Sequence, residues 1–164
     1  MARSKIKHFK GFSIVDGDIR VTLNMSRFER QFQRAQYQLD GAVMNSMVPF
    51  MPMITGSFIN ATRAASAAAQ GSGEVYAAYG PQGRFLYEGK TMVDEKTGST
   101  WARRGAKKVL VSEFGGKTNA KPNLTYTKQA HPKAQSHWFD AAKKADGKKW
   151  IKDVKRTAGG GQRG

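Results

Sequence analysis

One stretch of the chain repeats apolar residues at steps of three and four. The series comprises Phe28, Phe32, Ala35, Leu39, Ala42, Val43 and Met47. This spacing places the series on one stripe of a helix, with polar residues around the rest of the cylinder. Asn24 or Ser26 can cap the helix, and Ser26 with Glu29 has the capping-box spacing. Because the residue before a proline avoids helical dihedral angles, Pro49 ends the predicted helix near Met47.

Two short apolar runs precede this helix and follow a basic extension, residues 1–11. Residues 12–15 and 19–23 flank Asp16-Gly17-Asp18, and the second run alternates apolar with polar residues as a half-buried strand does. The sequence therefore predicts a small β-hairpin here.

A second helix is predicted over residues 57–69. Thr55 offers a capping hydroxyl, the segment is rich in alanine, and Gly71-Ser72-Gly73 stops it. The connector before it holds Met51 and Met53, which either fill gaps in the core beneath this helix or meet another subunit. We favour the core interpretation.

The middle of the chain predicts short elements. Residues 74–79 are typical of a strand or an extended segment, Gly80-Pro81 of a turn, and residues 84–93 of a helical turn that runs into a strand. Residues 94–118, which we call the arm, are rich in glycine, and loops of this length are usually functional or disordered. With residues 124–127 as the returning strand, the arm is predicted to be a long hairpin with basic residues at its tip, ordered by a partner.

A last helix is predicted to start at Pro132 and to continue past Gly147 to Trp150 and Val154 if glycine does not break it. Residues 157–164 are predicted to be a flexible tail. The fold class is α+β: helices on a small, mostly antiparallel sheet, with one domain over residues 12–156.

The composition is strongly basic and lacks cysteine. Lys and Arg number 28 against 12 Asp and Glu, and the second half of the chain carries most of the excess. Such charge favours a polyanionic or acidic partner, although a solvated basic surface is the simpler alternative. Without cysteine there is neither a disulfide framework nor a thiolate metal site. The N-terminus lacks the apolar core of a secretion signal, so we expect a soluble protein made in the cytosol.

The sequence does not predict an enzyme, a cofactor or a metal site. His8, His131 and His137 lack the neighbours that nucleophilic catalysis needs, and His137 with Asp140 could hold a metal only with further ligands. A capping or packing role is expected for each histidine. Gly115-Gly116-Lys117-Thr118 resembles the end of a phosphate-binding loop but lacks the earlier glycine, and we reject it.

The arm carries one large aromatic residue beside four cations. These residues are Trp101, Arg103, Arg104, Lys107 and Lys108. The indole could stack on a nucleic-acid base while the cations neutralise phosphates. Alternatively, the indole could insert into a pocket of a neighbouring protein while the cations pair with its carboxylates. A solvated turn with Trp101 folded back on its own domain is the third alternative. Trp138, Phe139 and Trp150 lie at helical spacing among alanines, which indicates core packing or subunit contact.

Several motifs resemble one family. They are Pro52-Met53-Ile54-Thr55-Gly56, residues 87–94 (Tyr-Glu-Gly-Lys-Thr-Met-Val-Asp), residues 96–108 and residues 130–139. Together they resemble the minor capsid, neck or tail-completion proteins that join head to tail in long-tailed double-stranded DNA bacteriophages. The family positions are Pro52, Thr55, Gly56, Tyr87, Gly89, Lys90 and Gly98. In the family Asp usually precedes the Thr-Gly pair, whereas Ile54 stands there in this chain.

The resemblance implies a structural virion protein at the head-tail junction, made in the cytoplasm of a bacterial host. The implied partners are other copies of the chain in a cyclic ring of about 6 or 12 subunits, an adjoining connector or tail-terminator ring, and viral double-stranded DNA contacted without sequence specificity; no membrane is implied. The alternative hypothesis is a small cytosolic nucleic-acid-binding protein that uses the arm directly.

Overall fold

The computed structural model describes residues 12–16, 19–101 and 103–159. The strands are β1 (Phe12–Asp16), β2 (Ile19–Leu23), β3 (Met92–Asp94) and β4 (Lys108–Leu110), and the α-helices are α1 (Ser26–Met47), α2 (Ser57–Ala69), α3 (Gly83–Glu88) and α4 (Trp138–Ala158). Single 3-10 turns lie at Val48–Phe50 and Val111–Glu113. The α+β prediction is confirmed. The predicted N-terminal extension, residues 1–11, and residues 160–164 of the predicted tail lie outside the described residues.

The chain divides into two compact units that interleave along the sequence. Unit 1 comprises Met1–Ser46, Arg63–Tyr76 and Ala142–Gly164, and unit 2 comprises Met47–Thr62 and Ala77–Ala141. The prediction of one domain over residues 12–156 did not distinguish these units.

The N-terminal half of unit 1 follows the sequence pattern closely. Strands β1 and β2 pair antiparallel from Phe12 with Leu23 to Asp16 with Ile19, which confirms the predicted hairpin. Asn24 accepts a hydrogen bond from the backbone N–H of Ser26 at 2.9 Å, so a side chain caps α1 as its sequence predicts. The helix ends at Met47, and a 3-10 turn that begins at Val48 and contains Pro49 follows.

A buried carboxylate organises the chain reversal after α2 in unit 1. Asp40 on α1 is 3% exposed and accepts the backbone N–H groups of Gly71 at 2.7 Å and Gly73 at 3.1 Å. Gly71 and Gly73 both have positive φ angles, which explains why glycine ends α2. The buried apolar side chains of unit 1 are Ala35, Val43, Met44, Ala69, Ala142 and Trp150.

Unit 2 has a small core to which β3 contributes Val93. Its buried apolar side chains are Met47, Met51, Ile59, Val93, Ala134 and Trp138. The core interpretation therefore holds for Met51. Strands β3 and β4 pair antiparallel from Met92 with Leu110 to Asp94 with Lys108, so the strand that returns from the arm is β4. The prediction that residues 124–127 form the returning strand is wrong, because this segment is not a strand: the N–H of Leu124 bonds to the carbonyl of Gly89 at 2.9 Å, and the preceding Asn123 forms only an isolated bridge with Lys90.

Helix α4 begins at Trp138, six residues later than predicted. The preceding backbone N–H groups are used elsewhere: that of Gln135 bonds to the carbonyl of Phe50, and that of His137 to the carbonyl of Tyr87. His137 also has a positive φ of 50°, which a right-handed helix excludes. The continuation through Gly147 is confirmed, and Thr157 and Ala158, predicted to lie in the flexible tail, belong to the helix.

Candidate partner-binding loop

The loop between β3 and β4, residues 95–107, forms the first part of the arm and has its own backbone hydrogen bonds. The N–H of Asp94 bonds to the carbonyl of Ser99 at 2.8 Å, and the N–H of Gly98 bonds to the carbonyl of Asp94 at 2.9 Å. The N–H of Glu95 bonds to the carbonyl of Lys107 at 3.1 Å and so extends the strand pairing into the loop. We refer to residues 95–107 as the β3–β4 loop.

The side chain of Asp94 is the organising group of this loop. It is fully buried, and one carboxylate oxygen accepts the backbone N–H groups of Lys96 at 2.8 Å and Thr97 at 3.1 Å. The other oxygen faces the backbone N–H of Arg103 at 3.5 Å and the Nε of the same residue at 3.3 Å. A single carboxylate thus joins the start of the loop to a position nine residues further on.

These hydrogen bonds favour the ionised carboxylate. The N–H of Lys96 makes the largest contribution, and the Arg103 side chain and the N–H groups of Thr97 and Arg103 add to it. Together they hold the pKa of Asp94 well below its usual range, although desolvation acts in the opposite direction. Asp94 is therefore charged throughout the physiological pH range.

A second contact ties the loop to the end of the arm. The hydroxyl of Thr118 donates a hydrogen bond to the carbonyl of Gly98 at 2.7 Å. Gly98 has a φ of 67°, and a Cβ added there would lie 2.6 Å from the ring of Phe114, so glycine is required for two reasons. The chain therefore supplies hydrogen bonds of its own to the described part of the loop, on both sides of Trp101.

Trp101 projects from this ordered loop. Its side chain is 88% exposed, while its backbone N–H bonds to the hydroxyl of Ser99 at 3.1 Å. The alternative in which Trp101 folds back on its own domain does not hold. An exposed indole on an internally braced backbone is a feature of binding surfaces, because little conformational freedom remains to be lost on binding.

The four cations grouped with Trp101 in the sequence differ in how many hydrogen bonds and ion pairs their side chains make. Arg103 pairs with Asp94, and the ammonium of Lys107 lies 3.6 Å from a carboxylate oxygen of Glu95. Lys108 donates from Nζ to the carbonyl of Thr100 at 3.1 Å. Arg104 is exposed, and no hydrogen bond or ion pair links its side chain to another described residue. Two of the four cations of the β3–β4 loop, Arg103 and Lys107, are therefore paired within the loop, while Lys96 and Arg104 are exposed.

A surface depression of about 560 Å³ lies beside the base of the loop. Its apolar lining includes Phe85, Leu86, Met92 and Leu124. Thr100 and Lys108 of the loop region also line it. The exposed Trp101 therefore neighbours, along the chain, an apolar depression large enough to receive an aromatic side chain.

The positions that carry the family resemblance fall into two groups. Pro52, Thr55 and Gly56 line a second depression of about 330 Å³ that shares Leu86 and Leu124 with the first. The other positions have structural roles. Tyr87 packs edge-on against His137 and Trp138, and Gly89 ends α3 with a φ of 70°. The side chain of Lys90 donates to that of Asn123 at 3.2 Å, and Gly98 makes the turn described above.

The proposed subunit-contact residues are largely internal. Trp138 is fully buried and donates from Nε1 to the carbonyl of Ala77 at 2.7 Å. Trp150 is 8% exposed and donates from Nε1 to the hydroxyl of Ser46 at 3.2 Å. Phe139 is half-buried. Of the two alternatives, core packing and subunit contact, the structure shows core packing for Trp138 and Trp150.

The described histidines have packing and hydrogen-bonding roles. His131 Nδ1 lies 2.8 Å from the carbonyl oxygen of Met51. His137 Nε2 is 3.4 Å from a carboxylate oxygen of Glu88, and its Nδ1 is 3.9 Å from a carboxylate oxygen of Asp140.

Among residues 12–16, 19–101 and 103–159, no cluster of three or more potential ligands could hold a metal ion. No helix in the same ranges is long and apolar enough to cross a membrane.

Sequence reasoning did not assign a role to Asp94 or Thr118. The available signal was an aspartate at a strand end, followed by a glycine four residues later, which is typical of a turn closed by a side-chain carboxylate.

Comparison of the chain with family models, curated proteins and solved structures gave no match.

Proposed function

We propose that this chain is a non-enzymatic structural protein of the connector that joins head to tail in a double-stranded DNA bacteriophage. In this proposal it forms a neck or tail-completion ring around the DNA passage and is located in the virion. The motif resemblance suggests the setting, and the observation that carries the proposal is the exposed Trp101 on a loop held by the buried Asp94.

The geometry of the β3–β4 loop suits docking on another protein subunit. A tryptophan that is 88% exposed supplies a large apolar contact area, and tryptophan is enriched among residues that dominate interface energies. The loop is ordered before binding, so docking immobilises little additional backbone. A closed ring repeats the same contact in every subunit, so a modest single contact is sufficient for a durable assembly.

The alternative function, nucleic-acid binding by the loop itself, needs cations that are available to phosphates. Arg103 and Lys107 are paired with Asp94 and Glu95, and Lys108 is bonded to a carbonyl oxygen. Binding phosphates would require these internal contacts to be broken or shared. Two of the loop's four cations are thus paired, Lys96 and Arg104 remain exposed, and the largest exposed side chain is the apolar Trp101; on these grounds we favour a protein partner for this loop.

A point variant of the indole tests the proposal. Trp101→Ser removes the exposed apolar group and leaves the Asp94 hydrogen bonds in place. We expect subunits that fold normally but assemble poorly, and phage lysates in which heads and tails accumulate unjoined. Electron microscopy of particles and size-exclusion chromatography of the purified protein measure the two effects.

A matched control is Ile54→Ser, which removes an apolar side chain that is 87% exposed. Normal joining by the Trp101 variant would refute the docking role. Failure of both variants to the same degree would also count against it, because the defect would then follow from any loss of exposed apolar surface.

A further inference from the structure

Helix α4 carries a row of lysines on one face. Lys144, Lys148 and Lys152 are exposed and follow one another at intervals of four residues. Helical geometry places them on the same side of the helix, over about 12 Å of its axis. We call these three residues the lysine stripe.

The opposite face of α4 is fixed within unit 1. Trp150 is buried there and bonds to Ser46, and Ala142 is also buried. Near the end of the helix, the hydroxyl of Thr157 bonds to the side chain of Gln38 on α1 at 2.7 Å. The lysine stripe is therefore held on the outside of an anchored helix.

No acidic side chain neutralises the stripe within the described part of unit 1. Asp146 and Asp153 are half-buried and lie about 150° away around the helix. Asp153 pairs with Arg156 at 3.1 Å. Asp140 lies four residues before Lys144, in line with the stripe, and its carboxylate is 3.9 Å from Nδ1 of His137 rather than paired with Lys144.

Helix stability does not explain these lysines. Cations in the last turn of a helix, here Lys155 and Arg156, interact favourably with the helix dipole, but the effect fades within one turn. The lysine stripe lies mostly further inside the helix, where like charges four residues apart repel one another and oppose helix formation. A polyanion laid along this face would relieve that repulsion and release counterions.

The composition of this face points to one kind of polyanion. The aromatic residue nearest the stripe, Trp150, is buried, so the face offers no stacking platform for unpaired bases. Its exposed large apolar residue is Ile151, at 58%, which is too little for insertion into a membrane surface. Lysine acts on phosphate as a point charge and is depleted in protein interfaces, unlike arginine.

We propose that the lysine stripe binds the phosphate backbone of double-stranded nucleic acid without regard to sequence. This site lies on a different element from the β3–β4 loop and stands on its own, whether or not the chain forms a connector ring.

The test compares two triple variants of the full chain. K144Q/K148Q/K152Q removes the stripe, and K117Q/K121Q/K128Q removes the same charge from three exposed lysines of unit 2. Fluorescence anisotropy with a labelled DNA duplex gives the slope of log affinity against log salt. We expect the stripe variant to lower that slope by about 2.7, since each phosphate contact contributes about 0.9, and the control to lower it by less than about 1.

Several outcomes would overturn the proposal. Equal slope changes in both variants would show that net charge alone drives binding, and tighter binding of single strands would indicate a stacking surface elsewhere. Stripe-dependent binding of polyglutamate or of vesicles containing anionic lipid, with no binding of duplex, would assign the site to a protein or a membrane. Binding of duplex RNA as tightly as duplex DNA would support a surface that contacts the phosphate backbone and not the bases.

Two further measurements separate the alternatives. Because glutamine is a good helix former, circular dichroism of the triple variant K144Q/K148Q/K152Q should show unchanged helix content. If that variant is unstable, K148Q alone should give about one third of the slope change. Trp101→Ser should retain the full slope, so a failure of the connector proposal and a failure of this one are distinguishable.

Discussion

Asp94 and Arg103 are joined by three hydrogen bonds: the guanidinium donates from Nε at 3.3 Å and from a terminal NH₂ group at 3.4 Å, and the backbone N–H donates at 3.5 Å. The guanidinium reaches both oxygens of the fully buried Asp94, whereas the Arg103 side chain is 61% exposed. Arg103 thus braces the loop from the solvent side while Trp101, two residues earlier, remains 88% exposed. Asp94 and Arg103 therefore hold the loop in its conformation, and Trp101 is the large apolar residue that the loop exposes.

Replacing Asp94 with Asn should loosen the β3–β4 loop. The amide lacks the charge that strengthens the bonds from Lys96, Thr97 and Arg103, and its NH₂ group cannot accept a hydrogen bond. We expect the backbone amides of these residues to exchange with solvent about tenfold faster or more, as loss of one charged hydrogen bond allows. Hydrogen exchange detected by NMR measures this, and unchanged exchange would contradict the role given to Asp94.

The loop should also loosen in acid. Because the pKa of Asp94 is lowered in the folded protein, its stabilising contribution is fully present above the unfolded value, near 4, and is lost as the pH falls from there toward the folded value. NMR relaxation of the Trp101 indole N–H, which is resolved from those of the other two tryptophans, should therefore show increased mobility as the pH is lowered from 5 to 2. The Asp94→Asn variant should show no such transition, and an equal transition in that variant would assign the effect to another group.

Trp101 and Trp138 should differ sharply in their effect on stability. Trp101→Ala removes an exposed side chain and should change the free energy of unfolding by no more than about 0.5 kcal/mol. Trp138→Ala empties a fully buried site and removes the hydrogen bond to Ala77, and it should lower the free energy of unfolding by about 3–5 kcal/mol. Urea denaturation followed by circular dichroism compares them; a large loss in the Trp101 variant would mean that the indole packs in its own fold.

Asp40→Ala should destabilise unit 1. The backbone N–H groups of Gly71 and Gly73 would lose their acceptor at a largely buried site, and we expect a loss of about 1–3 kcal/mol. Asp146→Ala, on a half-buried position of α4, serves as the control and should cause no loss. Equal thermal stabilities of the two variants would show that the turn after α2 does not depend on Asp40.

Gly98→Ala and Gly105→Ala test whether crowding or backbone conformation governs the loop. Both glycines have positive φ angles, 67° and 77°, but an added Cβ meets Phe114 at 2.6 Å in the first case and nothing within 4 Å in the second. Each substitution strains the backbone by about 1 kcal/mol, and only Gly98→Ala should add a steric penalty that displaces the Phe114 ring. The ring chemical shifts of Phe114 in the two variants measure the difference.

The elements that the sequence predicted well are those with a local signal. Helix α1 runs over the predicted residues, because its apolar period, its cap at Asn24 and its stop at Pro49 all act within the helix or next to it. Helix α2 likewise ends before the glycines at 71 and 73. In these segments local preference and tertiary packing agree.

The errors arose where distant contacts decide the conformation. Helix α4 starts late because residues 135 and 137 bond to carbonyl oxygens of Phe50 and Tyr87, which no local pattern reveals. The sequence singled out Trp101 and its neighbouring cations as candidates and left open whether the indole is exposed, and it gave Asp94 no role. The pairing of Arg103 with a residue nine positions earlier depends on how the loop closes, so the sequence showed a cluster of cations where the structure has a braced turn.

The hydrogen bonds inside the β3–β4 loop also bear on the speed of assembly. If the loop docks on another subunit as proposed, its hydrogen bonds are already formed before contact, so no slow folding step has to follow the first collision. The rate of association should then depend on how often two surfaces collide in the right orientation, and it should rise in proportion to the concentration of subunits. A loop that folded only on contact would instead approach a rate plateau set by its own rearrangement.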